Sequence, residues 1–362
     1  MKKILIVITT DFVSYGGLTS VMMNYYNAMD KKDIQIDFAS TNVVPKNLLS
    51  KLYVNNSRYF CLGNRKRSLL KYLFNLVKLL KKEKYDIIHV NGNSSTMAIE
   101  LQIARFCGIK QRLAHGHTTR TNYPLIHKIL TSIFRNSYTV GIAVSNQAGE
   151  WLFKKGYKIL NNAIDINHYK FDRQLREQFR NKYNLENKFV VGNVGKLNPP
   201  KNHSYLLRVF SEIKKVKDNA FLIIAGGGEL EGQLKKEAYD LGISDFVLFL
   251  GMVEDTAPIL QAMDVFVFTS VFEGLGMALI EAQASGLRCV CSDVVPKETK
   301  VTGLIQYLSL NESPVKWAEI ISLIDFDNRT DVSEEAYKSI TAAGYNINIE
   351  AYKLRKIYLD NK

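Results

Sequence analysis

The chain has 362 residues, of which 46% are hydrophobic, and its formal net charge is +13. This length exceeds what one ordinary core supports and favours two domains, and the composition excludes a disordered or low-complexity protein. No apolar run approaches the ~20 residues of a membrane-spanning helix, so we expect residues 4–8 to form a first buried strand and not an export signal.

Short apolar runs rich in Ile, Val and Phe alternate with longer helical patterns, which predicts parallel sheets covered by helices on both faces. The predicted strands are residues 3–9, 35–39, 86–91, 111–115, 139–145, 189–195, 220–225, 246–250, 264–269, 288–292 and 304–308. The series breaks in a polar stretch at residues 162–186. We therefore predict an α/β protein with two doubly wound domains, residues 1–165 and 166–340. A last helix within residues 341–362 is expected to pack back on the first domain.

Positive charge is concentrated in the first predicted domain. Residues 1–165 contain 24 Lys and Arg against 9 Asp and Glu, whereas residues 166–362 contain 24 against 26. An excess confined to one half of the chain predicts an anionic partner for one domain only.

Much of this charge lies in residues 65–84, where the pattern predicts a basic amphipathic helix. Its apolar positions are Leu69, Leu70, Leu73, Leu76, Val77 and Leu80. Such a helix packs its apolar face on a sheet, or lies with its basic rim near an anionic membrane surface, and the sequence allows both.

The four cysteines carry no metal-binding or redox pattern. Cys61 and Cys107 are isolated, and Cys289 and Cys291 fall in an apolar run typical of buried thiols. None of the spacings is Cys-x-x-Cys. We therefore expect reduced thiols and a cytoplasmic protein.

Two turns of the first domain are candidate ligand sites. The first predicted strand leads through Gly16 and Gly17 into a helix, and His115 and His117 lie at the end of a later strand. Ligands of open α/β sheets bind at the carboxyl ends of strands, where glycines let the backbone approach closely. A histidine that contacts substrate hydroxyls or a diphosphate, and a structural histidine in a turn, both remain open.

Two patterns resemble metal sites without completing one. His115 and His117 form a His-x-His, but no third ligand follows at a metal-binding spacing. Asp325 and Asp327 form the Asp-x-Asp of some metal-dependent transferases, but they lie in a polar late segment, where we expect a solvated loop. No metal site is predicted.

The second domain opens with a strand at residues 189–195, whose loop carries Lys196 and Lys201. Two lysines five residues apart at a strand end can neutralise a diphosphate. The strand at residues 220–225 ends in Gly226–Gly228, another turn for close approach, which lacks the third glycine of a dinucleotide fingerprint.

A further turn of the second domain combines two carboxylates with a glycine-rich helix entrance. The residues are Glu273, Gly274, Leu275, Gly276 and Glu281. Free backbone N–H groups at a helix N-terminus bind phosphate, and carboxylates accept hydrogen bonds from sugar hydroxyls. The stretch therefore offers groups for both halves of a nucleotide-sugar.

The order of these motifs resembles glycosyltransferase family 4, and the resemblance spans nearly the whole chain. The matching residues are Gly16-Gly17, Ala114-His115, Val144-Ser145, Asn162–Asp165, Gly195-Lys196-Leu197, Lys201-Asn202, Gly226–Gly228, Glu273 and Glu281. The resemblance implies the GT-B fold, in which two Rossmann-like domains face each other across a cleft. Within the family the chain is similar to bacterial enzymes of capsular and exopolysaccharide synthesis.

The resemblance also implies roles for the residues of the second domain. Lys196 and Lys201 would contact the donor diphosphate, and Glu281 would hold the ribose. Glu273, with the backbone amides of residues 274–276, would hold the donor sugar and the adjacent phosphate. The backbone near Val253 would contact the nucleotide base.

In the first domain, Gly16 and Gly17 would let a loop close on the donor, and His115 would lie beside the reacting carbon. Two positions depart from the family pattern. Lys196 stands where arginine is usual, which keeps the charge but loses the bidentate fork. Ala163 stands where many relatives have glycine between the domains.

The implied reaction retains the anomeric configuration, needs no metal, and uses a nucleotide-sugar, which we expect to be UDP-linked, with no other cofactor. Lysines and helix amides stabilise the charge that builds on the leaving nucleoside diphosphate. No residue stands out as a general base. The basic first domain, which holds the acceptor in this fold, motivates a polyprenyl-diphosphate-linked saccharide acceptor and a peripheral position at the inner face of the cytoplasmic membrane.

Two other functions remain open. A nucleotide-sugar 2-epimerase on the same fold would consume the nucleotide-sugar without an acceptor. A non-catalytic binder of an anionic polymer would use the basic half, but the sequence contains no recognised nucleic-acid module, so a nucleic-acid partner is not expected.

Overall fold

The computed structural model describes residues 1–13, 16–324 and 328–360. The chain divides into two compact units. Unit 1 is Met1–Ala163 with Ile347–Lys362, and unit 2 is Ile164–Asn346. The predicted boundaries after residues 165 and 340 lie two and six residues from this division.

Both units are built from alternating strands and helices. The strands are β1 (Lys2–Ile8), β2 (Ile34–Ser40), β3 (Tyr59–Cys61), β4 (Ile87–Gly92), β5 (Gln111–Gly116), β6 (Val140–Ala143), β7 (Tyr157–Ile159), β8 (Phe189–Val194), β9 (Ala220–Ala225), β10 (Val247–Gly251), β11 (Val265–Phe268), β12 (Arg288–Ser292) and β13 (Ile305–Leu308). The helices are α1 (Gly17–Ala28), α2 (Lys46–Tyr53), α3 (Leu69–Glu83), α4 (Ala98–Phe106), α5 (Pro124–Arg135), α6 (Asn146–Leu152), α7 (Ile166–Tyr169), α8 (Arg173–Lys182), α9 (His203–Val216), α10 (Glu231–Asp240), α11 (Ala257–Ala262), α12 (Met277–Ala284), α13 (Pro314–Ser322), α14 (Arg329–Ala342) and α15 (Ile347–Leu359).

Unit 1 contains a parallel sheet of seven strands in the order β3-β2-β1-β4-β5-β6-β7. Side chains alternate across β1: Ile4, Ile6 and Ile8 pack under α1, α2 and α15, and Leu5 and Val7 pack under α3, α4 and α6. Because helices cover both faces, residues 4–8 of β1 are all apolar and show no polar alternation.

The last helix, α15, belongs to unit 1. Lys2 Nζ donates to the carbonyl oxygen of Tyr358 over 3.0 Å, and Gln111 Nε2 donates to that of Ile357 over 2.6 Å. The Tyr358 hydroxyl lies 2.7 Å from Nδ1 of His89 in the centre of the sheet. These bonds fix the helix beside the first residues of the chain.

Unit 2 contains a parallel sheet of six strands in the order β10-β9-β8-β11-β12-β13. Helices α9, α10 and α13 cover one face, and α8, α11 and α12 cover the other. The predicted α/β class with two doubly wound domains is therefore confirmed. Among the described residues, no helix combines the length and the apolar character needed to cross a membrane.

The predicted apolar stripe of residues 65–84 is only partly a core face. Helix α3 begins at Leu69 and buries Tyr72, Leu76, Leu79 and Leu80 against the sheet. Leu70, by contrast, is 84% exposed. One side of the helix therefore packs on the sheet along its length, whereas Leu70 and Phe74 on the other side are exposed.

Candidate functional site

The candidate site of unit 2 lies at the carboxyl ends of β8 and β11, two neighbouring strands in the middle of the sheet. The chain leaves β8 toward β9 on one side and later returns as β11 on the other, so the strand order reverses between them. Open α/β sheets bind ligands in the crevice at such a point. The predicted lysine loop follows β8, and the predicted Glu273 turn follows β11.

Two glycines of the turn after β9 allow it to pack tightly on the turn after β8. A Cβ atom on Gly226, where φ is +144°, would lie 1.9 Å from the carbonyl oxygen of Gly195. A Cβ atom on Gly228 would lie 2.2 Å from the carbonyl oxygen of Leu197. The backbone of these turns therefore meets directly, and a side chain at either glycine would force them apart.

An ion pair joins the turn after β8 to the turn after β11. Lys201 Nζ donates to Oε2 of Glu273 in a short contact, and the two side chains are only 20% and 15% exposed. The Lys201 ammonium also lies 4.6 Å from the centre of the Phe268 ring. The Thr269 hydroxyl donates to the carbonyl oxygen of Asn202 over 3.0 Å and holds the two turns together. The fold thus brings a cation and a carboxylate side by side at the switch point.

The two predicted lysines have different surroundings. Lys201 is held by Glu273, whereas Lys196 is exposed and makes no ion pair with any residue in the described ranges. An ammonium group already fixed beside the site loses less side-chain entropy on binding a phosphate than one that is free in solvent. We therefore expect Lys201 to contribute more to anion binding.

Helix α12 presents its N-terminus at the same edge. Gly276 is the N-cap residue and has φ of +80°, a left-handed conformation that glycine adopts readily. The first N–H groups of a helix have no acceptor within it, and the helix dipole favours an anion there. Gly274 is exposed and Leu275 is partly buried, so the predicted phosphate site is accessible from solvent on one side.

Glu281 lies one turn into α12 and is partly buried. Thr256 Oγ1 donates to its Oε2 over 3.4 Å, and the Tyr169 hydroxyl lies 3.3 Å from Thr256 Oγ1. Burial raises the pKa of the Glu281 carboxyl to about 7, although hydrogen bonds from the two hydroxyl groups act in the opposite direction. Its charge is therefore sensitive to pH in the neutral range.

The turn after β10 carries Val253. Gly226 donates its N–H to the carbonyl oxygen of Gly251 over 2.8 Å, which ties this turn to the one after β9. The Val253 side chain packs against the core between the sheet and α12. The predicted contact for the base thus lies on the same edge of the sheet as Lys201, Glu273 and the N-terminus of α12.

In unit 1, Gly16 is the N-cap of α1 and has φ of −84°, and Gly17 is the first helical residue. A Cβ atom on Gly17 would meet no atom within 4 Å. The fold therefore does not require glycine at position 17, and any requirement for it would come from a ligand.

Three histidine rings form a stack in the sheet of unit 1. His115 lies in β5 and is fully buried, with its ring centre 5.3 Å from that of His89 and 4.1 Å from that of His117. Neither ring nitrogen of His115 has a hydrogen-bond partner among the described residues. His117 directly follows β5 and is partly exposed, with Nε2 3.0 Å from Oδ1 of Asn91. His115 has no surface to offer a substrate in this structure, and its role beside the reacting carbon stays a prediction.

The described residues contain no group of three or more His, Cys, Asp or Glu arranged to hold a metal ion. Burial lowers the pKa of His89 and of His117 to about 3, so both rings are neutral near pH 7. The predicted solvated loop at Asp325 and Asp327 lies outside the described residues.

Two residues near Glu281 were missed by the sequence reasoning. Tyr169 and Thr256 surround Glu281 but belong to no motif, and hydroxyl side chains are too common to be singled out. His117 was named as part of the His-x-His pair, but the resemblance implied a role beside the reacting carbon only for His115. The difference in burial between His115 and His117 is visible only in the folded unit.

Comparison with known proteins matches both units to glycosyltransferase family models. Residues 15–168 match the family model described as Glycosyltransferase Family 4, and residues 175–338 match the model described as Glycosyl transferases group 1. All the site residues predicted from the sequence fall within these ranges.

Two curated relatives are similar over most of their length. EpsF of Bacillus subtilis, which carries a provisional glycosyltransferase name, is 29% identical over 85% of this chain and 84% of its own. An Escherichia coli UDP-Gal:alpha-D-GlcNAc-diphosphoundecaprenol alpha-1,3-galactosyltransferase is 29% identical over 80% of this chain and 79% of its own. Among solved structures, Anabaena Alr3699/HepE in complex with UDP has a TM-score of 0.78 at 16% identity, covering 98% of this chain and 99% of that one. At that identity the likeness shows the fold alone, which is GT-B.

Proposed function

The chain belongs to the family 4 glycosyltransferases, and we propose that it transfers a sugar from a UDP-linked donor to a lipid-linked saccharide in capsular or exopolysaccharide synthesis. We further propose that the reaction retains the anomeric configuration and requires no metal ion. The observation that carries this proposal is the Lys201–Glu273 ion pair, which lies at the switch point of unit 2 beside the N-terminus of α12.

The proposed donor site uses cations to bind the diphosphate and carboxylates to bind the sugar hydroxyls. A diphosphate at the entrance of α12 would meet the Lys201 ammonium and the first backbone N–H groups of the helix, and Lys196 would add a second cation from the solvent side. The Glu273 carboxylate, which is held in place by Lys201, would accept hydrogen bonds from hydroxyls of the donor sugar. Glu281 would accept those of the ribose, and the backbone near Val253 would contact the base.

The proposed chemistry follows from where charge develops. As the bond between the anomeric carbon and the phosphate oxygen breaks, negative charge grows on the leaving UDP. Preorganised cations and amides stabilise that charge more in the transition state than in the ground state, which lowers the barrier without a metal. Of the two histidines, we propose His117 for the contact with substrate, because it reaches the surface at the end of β5 while His115 does not.

Two related proteins support the proposed classes of donor and acceptor. The E. coli relative acts from UDP-Gal on a diphosphoundecaprenol-linked sugar, and the solved structure of Anabaena HepE contains UDP. The basic character of unit 1 is consistent with an acceptor that carries a diphosphate and lies at an anionic membrane. We accordingly propose a cytoplasmic enzyme that is peripheral to the inner face of the membrane.

The first test is donor selection followed by product analysis. Purified full-length protein is screened by thermal shift against UDP, GDP, ADP, TDP and CMP and their sugar conjugates in EDTA. A ligand that binds only the folded state at ~100-fold excess over Kd raises stability by roughly 2.7 kcal/mol. The donor so identified is then incubated with an undecaprenyl-diphosphate-linked sugar, and the linkage of the product is determined by NMR.

We expect a shift with UDP and UDP-sugars and an α-linked product from an α-linked donor, both in the presence of EDTA. Lys201→Met should weaken UDP binding by about tenfold to a hundredfold, as expected when a charge-assisted hydrogen bond is removed, and Lys196→Met should weaken it less. An inverted linkage, a strict metal requirement, or an epimerised nucleotide-sugar formed without acceptor would each overturn the corresponding part of the proposal.

A further inference from the structure

The outer surface of unit 1 exposes aliphatic side chains on α5. Phe134 is the only residue of this twelve-residue helix that is buried. Four large apolar side chains are exposed: Leu125 by 70%, Ile126 by 46%, Ile129 by 65% and Ile133 by 46%. Their positions i, i+1, i+4 and i+8 share one side of the helix, and a helix of a globular domain ordinarily turns that side to the core.

The opposite side of α5 is firmly anchored, which fixes the direction in which the aliphatic side chains point. The His127 ring stacks on the Trp151 ring with centres 4.6 Å apart, and Ser95 Oγ donates to the His127 carbonyl oxygen over 2.6 Å. Phe134 enters the core below the sheet. Rotating the helix to bury its aliphatic side would break all of these contacts.

Helix α3 exposes two further apolar side chains in unit 1. Leu70 is 84% exposed and Phe74, one turn later, is 67% exposed. Helix α4 packs against both α3 and α5, and Lys66 Nζ lies 5.9 Å from the centre of the Tyr123 ring, joining the segments that precede the two helices. We call the exposed apolar side chains of α3 and α5 the apolar outer face; its members are Leu70, Phe74, Leu125, Ile126, Ile129 and Ile133.

The charge around the apolar outer face is predominantly positive. Residues 64–82 contain seven Lys and Arg and no Asp or Glu, and residues 101–149 contain six and none. Of the three acidic residues that bound these segments, Glu83 pairs with Arg58 over 2.8 Å and Glu100 with Arg65 over 2.7 Å, whereas Glu150 is exposed. Any partner of this face therefore meets apolar side chains surrounded by cations.

These features together fit an anionic lipid surface. Aliphatic side chains enter the boundary between headgroups and acyl chains, and the cations remain among the lipid phosphates. A second copy of this chain would instead bring the same cations against each other, which opposes association. We propose that the apolar outer face inserts into the headgroup region of an anionic bilayer, an inference that rests on the proposed function for its lipid-linked acceptor.

The proposed membrane contact centres on α5 and not on the lysines of α3. The lysines of the C-terminal half of α3, Lys78, Lys81 and Lys82, lie on the part of the helix whose apolar residues are buried in the core. They contribute long-range attraction. Insertion depends on α5 and on Leu70 and Phe74 of α3, whose side chains are exposed.

The test measures vesicle binding of the full-length protein by co-sedimentation. Vesicles of phosphatidylcholine mixed with phosphatidylglycerol are compared with vesicles of phosphatidylcholine alone, without nucleotide-sugar. We expect binding to the anionic vesicles only. The double variant Leu125→Ser/Ile129→Ser should lower the partition coefficient at least about tenfold, because two aliphatic side chains no longer leave water.

Val54→Ser is the matched control. Val54 is also aliphatic and 83% exposed, and it follows α2, which packs on the opposite face of the same sheet. Its substitution should leave vesicle binding unchanged. In an otherwise unaltered chain, Ile129→Trp should give a fluorescence emission that shifts to shorter wavelength with the anionic vesicles and not with phosphatidylcholine.

Unchanged binding of Leu125→Ser/Ile129→Ser, or an equal loss with Val54→Ser, would overturn the inference. So would a double variant that changes from dimer to monomer in light scattering while its vesicle binding stays the same, since the face would then be a protein contact. Transfer to a detergent-solubilised acceptor separates this inference from the proposed function. Binding without transfer refutes only the function, and transfer with lipid binding insensitive to the double variant refutes only the inserted face.

Discussion

The Thr256 hydroxyl donates a hydrogen bond to Oε2 of Glu281 over 3.4 Å. Tyr169, from the first helix of unit 2, places its own hydroxyl 3.3 Å from Thr256 Oγ1. The carboxyl group proposed to hold the ribose is therefore supported by two hydroxyl groups that are distant in sequence. Because burial raises the pKa of Glu281 to about 7, these hydrogen bonds influence what fraction of the carboxyl group is ionised at physiological pH.

We expect UDP to bind more tightly as pH rises through 7. Only the ionised carboxylate of Glu281 is a full acceptor for both ribose hydroxyls, so below its pKa the Kd should rise by about tenfold per pH unit. Isothermal titration calorimetry across this range measures the slope. Glu281→Gln should bind UDP weakly with no such slope, and a Kd that decreases toward acid pH would contradict the role of Glu281.

Tyr169→Phe and Thr256→Val should each shift the pH dependence of UDP binding to higher pH. The hydrogen bonds from these hydroxyls lower the pKa of Glu281, so removing either leaves the carboxyl group harder to ionise. Affinity for UDP should fall near pH 7 and recover at higher pH. Tyr183→Phe, a similar change in the same core cluster, serves as control. A loss of affinity that is equal at all pH values would indicate a general structural effect.

Gly228→Ala should destabilise unit 2 and weaken nucleotide binding. The added Cβ atom would lie 2.2 Å from the backbone oxygen of Leu197, so the lysine loop must shift. Gly232→Ala is the matched control: it lies in α10, its Cβ atom would meet nothing within 4 Å, and alanine favours a helix by about 0.8–1 kcal/mol. In urea unfolding, Gly228→Ala should lower the free energy of unfolding and Gly232→Ala should raise it. Equal stability of the two variants would show that the turns are not tightly packed.

Unit 1 should lose stability in acid because of its buried histidines. Burial lowers the pKa of His89 and of His117 to about 3, below the value of 6.5 for an unperturbed histidine. As pH falls below 6.5 the unfolded chain takes up protons that the folded unit does not, so stability is present above 6.5 and is lost toward 3. Each histidine contributes a slope of about 1.4 kcal/mol per pH unit in that window.

Urea unfolding of His89→Gln as a function of pH measures this contribution. The variant loses one titrating ring, so its stability should depend less steeply on pH than that of the wild type, whatever its absolute value. His168→Gln is the control, because that ring is exposed and pairs with Asp255 at the surface of unit 2. An unchanged slope in His89→Gln would mean that the pKa of His89 is the same in the folded and the unfolded protein.

Much of the fold could be predicted because buried parallel strands leave a strong local signal. All eleven predicted strands are present among the described residues. The two that were missed, Tyr59–Cys61 and Tyr157–Ile159, lie at the two edges of the unit 1 sheet and have three residues each, too few for any periodicity.

The candidate residues of unit 2 were predicted because they follow strands, and parallel strands end at one edge of their sheet. This rule does not predict which of these side chains contact each other. Lys196 and Lys201 are equivalent in the sequence, yet only Lys201 meets Glu273, because the Thr269 hydroxyl holds the end of its turn against β11. The choice depends on contacts between segments about seventy residues apart.

The sequence by itself determined the α/β class, the two doubly wound domains and the family, since these rest on local periodicity and on the order of short motifs. Tertiary structure alone decided which groups are buried and which face solvent. It placed His115 inside the sheet and His117 at its edge, surrounded Glu281 with hydroxyls, and turned the aliphatic side of α5 outward. Burial and pKa depend on neighbours that packing brings from elsewhere in the chain, and no local pattern records them.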